Sequence, residues 1–263
     1  MSSPSRLNSS PSMQAYVIHG LPVIKEGDDI ASLVKSLFQF QDGDVLCLAS
    51  TILAKAEGRF RELSSYNPTE RAELIAGQIG KDPRFVQAVL DESTEVLLER
   101  PFLLVATRGG HIGVNAGIDQ SNVGGGRILL LPEDPCKSAQ RLRERLAEGG
   151  PGRGADCAVI ITDTCGRPFR CGVAAVAIGW AGIAPLRDWR GESDMHGKNL
   201  EITLEAVVDE MASAANLLMG EAGAGTPAVV LRGLKYSRCG EGSVFMPEDR
   251  DVIRPRLVSQ KSR

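Results

Sequence analysis

The densest group of side chains that could do chemistry lies in residues 158–170, AVIITDTCGRPFR. The apolar residues at its start predict a buried strand, and Asp163 and Thr164 stand just beyond them. Their oxygen atoms suit Mg²⁺ or Mn²⁺, and the guanidinium group of Arg167 suits a phosphate. If this segment stood alone, the better interpretation would be that Asp163 caps the next turn.

A second polar cluster, residues 115–122 with the sequence NAGIDQSN, supplies another aspartate. Asp119 lies between asparagines, and Gly117 permits a close approach of the backbone to a ligand. A cluster of this composition suits a site for metal and phosphate better than it suits a surface loop. We therefore predict that Asp119 and Asp163 form a pair of metal-binding carboxylates.

Ser50, Thr51 and Lys55 follow a further predicted strand, residues 44–49. Two hydroxyl groups and an ammonium group after a strand resemble a turn that holds phosphate, although the Walker pattern of P-loop proteins is absent. A lysine that only faces solvent is an equally good interpretation of Lys55 at this point.

A glycine-rich loop, residues 219–226 with the sequence MGEAGAGT, follows a predicted helix and carries one carboxylate, Glu221. The C-terminal end of a helix is electronegative, so the helix dipole would not hold a phosphate there. The loop would instead have to use its backbone amide groups, or to place Glu221 on a metal ion.

Strands and helices that alternate along the chain must position these clusters, and they indicate an α+β (mixed α/β) architecture. The predicted strands are 16–18, 44–49, 102–106 with a hairpin return at 112–114, 128–131, 158–161, 173–178 and 228–231. One predicted helix includes Ile30 and follows residues 27–29, GDD, in which an aspartate can act as its cap. Further helices are predicted over 68–80, 83–98, 138–147 and 200–218. In the last helix, Glu201, Glu205 and Asp209 are expected to form a solvated face.

The composition describes an ordinary soluble protein. Of 263 residues, 43% are hydrophobic and 24% charged, and the net charge is −3, which gives no indication of a nucleic-acid surface. No apolar run is long enough to cross a membrane, and the start lacks the apolar core of a signal peptide. Six scattered cysteines without CxxC spacing indicate reduced thiols and a cytoplasmic location. We expect residues 1–13, rich in serine and proline, to be disordered.

Taken together, these clusters resemble the coenzyme F420 γ-glutamyl ligase family. The similarity extends from about Tyr16 to Leu234, and the matching segments stand in the family's order and spacing. They read GLPVIKEGDD, DGDVLCLASTILAKAEGR, NAGIDQSN, IITDTCGRPFR and NLLMGEAGAGTPAVV. Several segments in the right order are far more specific than any one of them.

The resemblance implies an enzyme that joins L-glutamate to coenzyme F420-0, then adds γ-linked glutamates to F420-1, and splits GTP to GDP and phosphate. It implies divalent Mn²⁺ or Mg²⁺ with K⁺ as an assisting monovalent cation. It also implies a homodimer whose chains have two α/β-type domains, in a fold that is neither Rossmann nor P-loop. Residues 14–245 would form the ligase region and residues 246–263 a C-terminal tail.

The resemblance also assigns residues to these roles. It implies nucleotide contacts at Leu21, Pro22, Val23, Ile24, Ser50, Thr51, Lys55 and Asn122, and in the loop at Met219, Gly220, Glu221, Ala222, Gly223, Ala224, Gly225 and Thr226. It implies metal ligands at Asp119, Asp163, Thr164 and Glu221. We predict that Lys55, Asp119, Asp163 and Arg167 serve a reaction through an acyl phosphate, because a carboxylate nucleophile needs only orientation and neutralised phosphate charge.

Two other functions remain open from the sequence. A related nucleotide-dependent amide ligase that acts on another carboxylate would carry the same nucleotide and metal residues. A deazaflavin- or nucleotide-binding module without turnover is the alternative from another class of protein. The presence of Lys55, Asp119 and Asp163 argues against the binding module.

Overall fold

The computed structural model describes residues 13–120, 123–149, 154–238 and 242–258. Its strands are β1 (Gln14–Val17), β2 (Val45–Ala49), β3 (Phe60–Glu62), β4 (Ser93–Leu98), β5 (Leu104–Thr107), β6 (Ile112–Val114), β7 (Arg127–Leu129), β8 (Ala158–Arg167), β9 (Arg170–Ala181), β10 (Arg187–Asp188), β11 (Leu204–Glu205) and β12 (Ala228–Arg232). Its α-helices are α1 (Ile30–Leu37), α2 (Ser50–Ala56), α3 (Glu70–Ile79), α4 (Pro83–Asp91), α5 (Pro135–Ala147), α6 (Val207–Met219) and α7 (Arg254–Val258). The predicted α+β class is confirmed.

A five-stranded mixed sheet in the order β1-β12-β2-β8-β9 forms the centre. Strands β2 and β8 are parallel, whereas β8 and β9 form an antiparallel hairpin. The inner strands are continuous apolar runs because both faces of the sheet are covered. Alternate residues of β2, such as Leu46 and Cys47, enter different hydrophobic clusters, one with α1 and α5 and the other with α6.

A separate hydrophobic cluster forms around α3 and α4. It includes Val96 and Val105 of the three-stranded sheet β4-β5-β6, and Ile128 of β7, which pairs with β3. Asp29 accepts a hydrogen bond from Ser32 N–H at the start of α1, so the predicted aspartate cap is confirmed and is Asp29 rather than Asp28. The division of the chain into two domains stays a prediction.

The predicted helix over residues 83–98 is wrong in its second half. Helix α4 ends at Asp91, where the Glu92 N–H donates to Ala88 O and the Ser93 hydroxyl donates to Val89 O. The chain then turns into β4, which pairs with β5 and buries Val96. The six residues of β4 bury the adjacent Val96 and Leu97, and so short an apolar run fits a helix or a strand in the sequence. Pairing with β5 decides between the two.

The predicted helix over residues 200–218 begins too early. Residues 204–205 form β11, which pairs with β10, and α6 starts only at Val207. The Glu205 carboxylate accepts from the indole N–H of Trp189 over 2.6 Å and is therefore not on a solvated helix face. Asp209, also expected in solvent, is half-buried and accepts from the Ala177 N–H.

Strand β8 does not end before the polar residues, as the sequence suggested, but continues through them to Arg167. Opposite it, β9 also runs through residues 179–181, where a bend was expected. The pairing changes register between Ile161 and Thr162, so that Ile178 is the extra residue of a bulge. Such bulges redirect the side chains that follow, and here they are Asp163 and Thr164.

The chain ends are only partly described. Of the tail expected to be disordered, residues 1–12 lie outside the described residues. The C-terminal segment is attached to the protein, since Phe245 packs on Trp180 and Arg254 of α7 forms an ion pair with Glu95 of β4. The five cysteines in the described ranges are free thiols, as expected. None of the helices described is sufficiently long and apolar to span a membrane.

Candidate active site

A cavity of about 590 Å³ opens where β2 ends, β8 passes and β12 begins. It brings together residues that lie far apart in the chain. Those of its lining residues that the sequence analysis named are Ser50, Thr51, Lys55, Gly117, Asp119, Asp163, Thr164, Met219, Gly220, Glu221, Ala222, Gly223, Gly225 and Thr226. The separate polar clusters of the sequence therefore share one site.

The remaining predicted residues lie elsewhere. Arg167 is exposed near the tip of the β8–β9 hairpin, outside the lining of this cavity, so its phosphate role stays a prediction from the sequence. Val23 and Ile24 line a second cavity of about 340 Å³, which shares Lys55 with the first. Neither cavity is lined by Leu21, Pro22 or Ala224. Asn122 lies outside the described residues.

The segment predicted to be a phosphate-holding turn is a helix that follows β2 without a gap. Ser50 and Thr51 open α2, and Lys55 lies one turn further along it. Ser50 is buried, and its hydroxyl donates to Oδ1 of Asp163 at a long distance of 3.5 Å. Helix α2 therefore carries Lys55 and also contacts Asp163 of β8 through Ser50.

An unusual backbone turn carries Asp119 to the cavity. Asn115, Ala116 and Gly117 have consecutive positive φ angles of 54°, 55° and 67°, a region that residues other than glycine rarely adopt. Strained backbone of this kind persists where the surroundings fix it, often at functional sites. Two backbone hydrogen bonds of 2.9 Å with Leu129 then hold Asp119.

Asp163 is the electrostatic centre of the cavity. Its pKa is raised from 3.8 to about 7, mainly because the protein around the carboxyl group displaces water. Hydrogen bonds from the Thr164 N–H and the Ser50 hydroxyl oppose this shift, whereas the negative charges of Asp119 and Glu221 add to it. The negative charges of the three carboxyl groups therefore repel one another, and a cation bound among them would be stabilised.

Glu221 stands at the start of the glycine-rich loop. Gly220 ends α6 with a φ of +71°, and the Thr226 hydroxyl donates to Met219 O over 3.1 Å at the other end of the loop. One residue of the lining that the sequence analysis did not single out contacts Glu221. Asn216, in the last turn of α6, donates from Nδ2 to Oε1 of Glu221 over 2.6 Å. A polar residue within the apolar end of a helix was the signal that could have found it.

The donor set agrees in its chemistry with a hard divalent cation. Carboxylates of Asp119, Asp163 and Glu221 and the hydroxyl of Thr164 line one cavity, and oxygen ligands of this kind suit Mg²⁺ and Mn²⁺. Within the described ranges, however, no three His, Cys, Asp or Glu side chains are gathered closely enough to form a ready-made metal cluster. The residues thus fit the ion by type and by charge.

Comparison with known proteins gives concordant matches. The model of the family described as F420-0:Gamma-glutamyl ligase matches residues 20–233. The chain is 54% identical over 245 residues to the coenzyme F420:L-glutamate ligase of Archaeoglobus fulgidus, covering 92% of this chain and 96% of that protein. It is 50% identical over 252 residues to the Haloarcula marismortui protein of the same name, covering 93% and 97%. For the Methanosarcina mazei protein, again of that name, identity is 47% over 247 residues, with coverage of 93% and 96%.

Proposed function

The chain belongs to the F420-0:gamma-glutamyl ligase family, and we propose that it is a ligase that forms a C–N bond between L-glutamate and coenzyme F420 precursors. In this proposal it acts on F420-0 and then on F420-1, and GTP is converted to GDP and phosphate. The observation that carries the proposal is the shared cavity, where Lys55, three carboxyl groups and a glycine-rich loop meet. These are the groups that phosphoryl transfer requires.

The first step activates a carboxylate. A carboxylate oxygen of F420-0 attacks the γ-phosphorus of GTP, and a new O–P bond forms. The bond between that phosphorus and the β–γ bridging oxygen breaks, and GDP leaves with its electron pair. A carboxylate is ionised at neutral pH, so this step needs no general base.

The second step forms the amide. The amine of L-glutamate attacks the carbonyl carbon of the acyl phosphate, a C–N bond forms, and the C–O bond to phosphate breaks. Inorganic phosphate leaves, and the nitrogen loses a proton to solvent. Once L-glutamate and the nucleotide fill the cavity, little room would remain for water to attack the acyl phosphate.

Residues of the cavity have distinct tasks in this proposal. The Lys55 ammonium neutralises phosphate charge, and the backbone amides of loop 219–226 surround the phosphates. Asp119, Asp163, Thr164 and Glu221 would hold Mn²⁺ or Mg²⁺, which when bound supplies positive charge against the phosphates. The second cavity, which Lys55 shares, offers room for the remainder of the nucleotide beside Val23 and Ile24.

Further features rest on the family resemblance alone and belong to the proposal. They are a homodimer, an assisting K⁺ ion and more than one divalent ion. A cytoplasmic location, inferred from the cysteines, is also part of the proposal. Sedimentation of the purified protein would report the dimer. Omission of KCl from the assay would report the monovalent ion.

Incubation of the purified protein with F420-0, L-glutamate, GTP, MnCl₂ and KCl tests the proposed reaction. Mass spectrometry follows the deazaflavin product while phosphate release is measured in parallel. The expected result is a stepwise gain of glutamyl residues that requires GTP and matches the phosphate released. GTP-dependent phosphate release with other carboxylates but not F420-0 would favour the related amide ligase. Nucleotide binding without phosphate release would favour the binding module.

A further inference from the structure

Helix α6 carries three polar residues on one face, although most of its buried residues are apolar. Asp209, Ser213 and Asn216 are spaced four and three residues apart, which places them on one side of a helix. We call them the polar stripe of α6. Each of the three side chains makes a hydrogen bond outside the helix.

The first two residues of the polar stripe bond to the backbone of β9. Asp209 Oδ1 accepts from the Ala177 N–H over 2.9 Å, and the Ser213 hydroxyl donates to Ala175 O over 2.7 Å. Strand β9 is an edge strand of the central sheet, where backbone groups lack a neighbouring strand. The polar stripe therefore takes the place of a neighbouring strand at these positions.

The two anchor points frame the central aspartate. Ala177 is paired with Thr162 and Ala175 with Thr164, so Asp163 lies between the two anchored pairs. The anchor at Ala177 lies directly beside the bulge at Ile178. Helix α6 is thus fixed against the part of the hairpin that supplies Asp163 to the cavity.

The third residue of the polar stripe connects this anchored helix to the loop. The Asn216 backbone oxygen accepts from the Gly220 N–H over 2.9 Å, and its side chain donates to Glu221 over 2.6 Å. The loop has few other restraints, because a Cβ atom added at Gly220, Gly223 or Gly225 would meet no atom within 4 Å. The hydrogen bond from Asn216 therefore restrains the direction of the Glu221 carboxylate in an otherwise open loop.

We propose that the polar stripe of α6 sets the position of Glu221 relative to Asp163, with Asn216 as the positioning residue that acts on the carboxylate. This inference rests on the proposed function, in which both carboxylates hold a divalent ion. Asparagine suits this task because it is neutral and leaves the full charge of Glu221 for a cation. It also engages Oε1 and leaves Oε2 for the cavity.

Direct Mn²⁺ binding tests the inference without turnover. Electron paramagnetic resonance reports free Mn²⁺ during a titration of the full chain, in the absence of F420 and nucleotide. Asn216→Leu keeps the branched shape and the number of side-chain heavy atoms but cannot donate. We expect its Mn²⁺ dissociation constant to rise about tenfold or more, as for other residues that orient a ligand. Asn216→Ala should behave in the same way. Leu217→Ala, at the neighbouring exposed position, is the matched control and should bind Mn²⁺ as the wild type does.

A double-mutant cycle identifies the route of the effect. In a Glu221→Gln background, Asn216→Leu should change Mn²⁺ affinity less than about twofold, because the carboxylate it positions is gone. An equal loss in both backgrounds would show that Asn216 does not act through Glu221 and would overturn the inference. Unchanged affinity of Asn216→Leu and Asn216→Ala in the wild-type background would overturn it as well. If the wild type itself bound no Mn²⁺, the proposed metal site would fail, and the inference with it.

Discussion

Gly117 approaches Asp163 so closely that a Cβ atom on Gly117 would stand 3.0 Å from the carboxylate Oδ2. The same atom would be 2.7 Å from Cδ1 of Leu131, and the φ of Gly117 is +67°. Position 117 thus requires glycine for two reasons: its backbone is left-handed, and there is no space for a side chain. Both follow from the turn that brings Asp119 beside Asp163.

Gly117→Ala is expected to destabilise the protein and to reduce turnover. Gly80→Ala is the matched control, because Gly80 has the same φ of +67° and no atom within 4 Å of its added Cβ. The free energy of unfolding of the control Gly80→Ala should fall by about 1–2 kcal/mol from backbone strain alone. Gly117→Ala should lose a further ~1–3 kcal/mol from overpacking. Urea unfolding gives both values, and equal losses would contradict the close approach.

Neither the backbone conformation nor the packing of the protein requires a glycine at position 223. Its φ is not in the left-handed region, and an added Cβ would meet no atom within 4 Å, yet it lines the cavity. The space beside it is therefore available to a ligand. We predict that Gly223→Ala leaves the unfolding free energy nearly unchanged and weakens GDP binding about tenfold, by a steric cost of ~1–3 kcal/mol.

The control for this variant is Gly77→Ala. Gly77 has the same empty surroundings but lies within α3, away from the cavity. There alanine should stabilise the protein by up to about 1 kcal/mol through helix propensity and leave GDP binding unaltered. Calorimetric titration with GDP decides the outcome, and full affinity in Gly223→Ala would place the nucleotide elsewhere.

Much of the fold is predictable because its local patterns are strong. The strand at β2 and the cap of Asp29 follow from apolar runs and capping residues close in sequence. The errors at β4 and β11 have a common cause. Short segments there form strands only because they pair with strands elsewhere in the chain, and the local sequence does not show that pairing. Trp189, sixteen residues away, donates to the Glu205 carboxylate.

The residue types of the site were predictable from the sequence, but the contacts that position them were not. Asp119, Asp163 and Glu221 stand out as carboxylates in glycine-containing segments, whereas their shared cavity depends on the sheet topology. Asn216 stands out as a polar residue in the apolar end of a helix, but its contact with Glu221 depends on the path of the loop. A role for Arg167 followed from its nearness to Asp163 in the chain, but the hairpin takes its side chain into solvent.

Asp119→Asn and Asp163→Asn are expected to abolish GTP-dependent glutamate addition while the folded structure is retained. Each amide keeps the volume of the carboxylate but removes the charge that would hold a divalent ion. Parallel measurement of product mass and of circular dichroism separates lost chemistry from lost folding. Full activity in either variant would remove that aspartate from the metal site.

Asp163 also predicts a dependence of stability on pH. Its folded pKa of about 7 lies above its ordinary value of 3.8, so the folded protein keeps a proton that the unfolded chain loses between these pH values. The contribution of Asp163 to stability therefore falls as the pH rises from about 4 to 7. With a chelator present, the free energy of unfolding of Asp163→Asn should increase relative to that of the wild type over this range, by about 3 kcal/mol. Urea unfolding at several pH values measures the gain, and a constant difference would contradict the raised pKa.

The ion pair of Asp44 and Arg232 is predicted to control stability without controlling the reaction. Asp44 is fully buried, and Arg232 reaches it through Nε and a terminal nitrogen, each over 2.7 Å. Arg232→Leu would leave the carboxylate buried and uncompensated, at a cost of about 3–5 kcal/mol. Arg84→Leu removes an arginine from an exposed pair with Asp82 and should cost much less.

The position of this ion pair makes the expectation specific. Asp44 precedes β2 and Arg232 ends β12, so the pair lies at the end of the sheet opposite the cavity, which forms where β2 ends and β12 begins. Below its melting temperature, Arg232→Leu should therefore keep the kcat of the wild type although its urea midpoint falls. A large loss of kcat in the folded variant would mean that the far end of the sheet is coupled to the site.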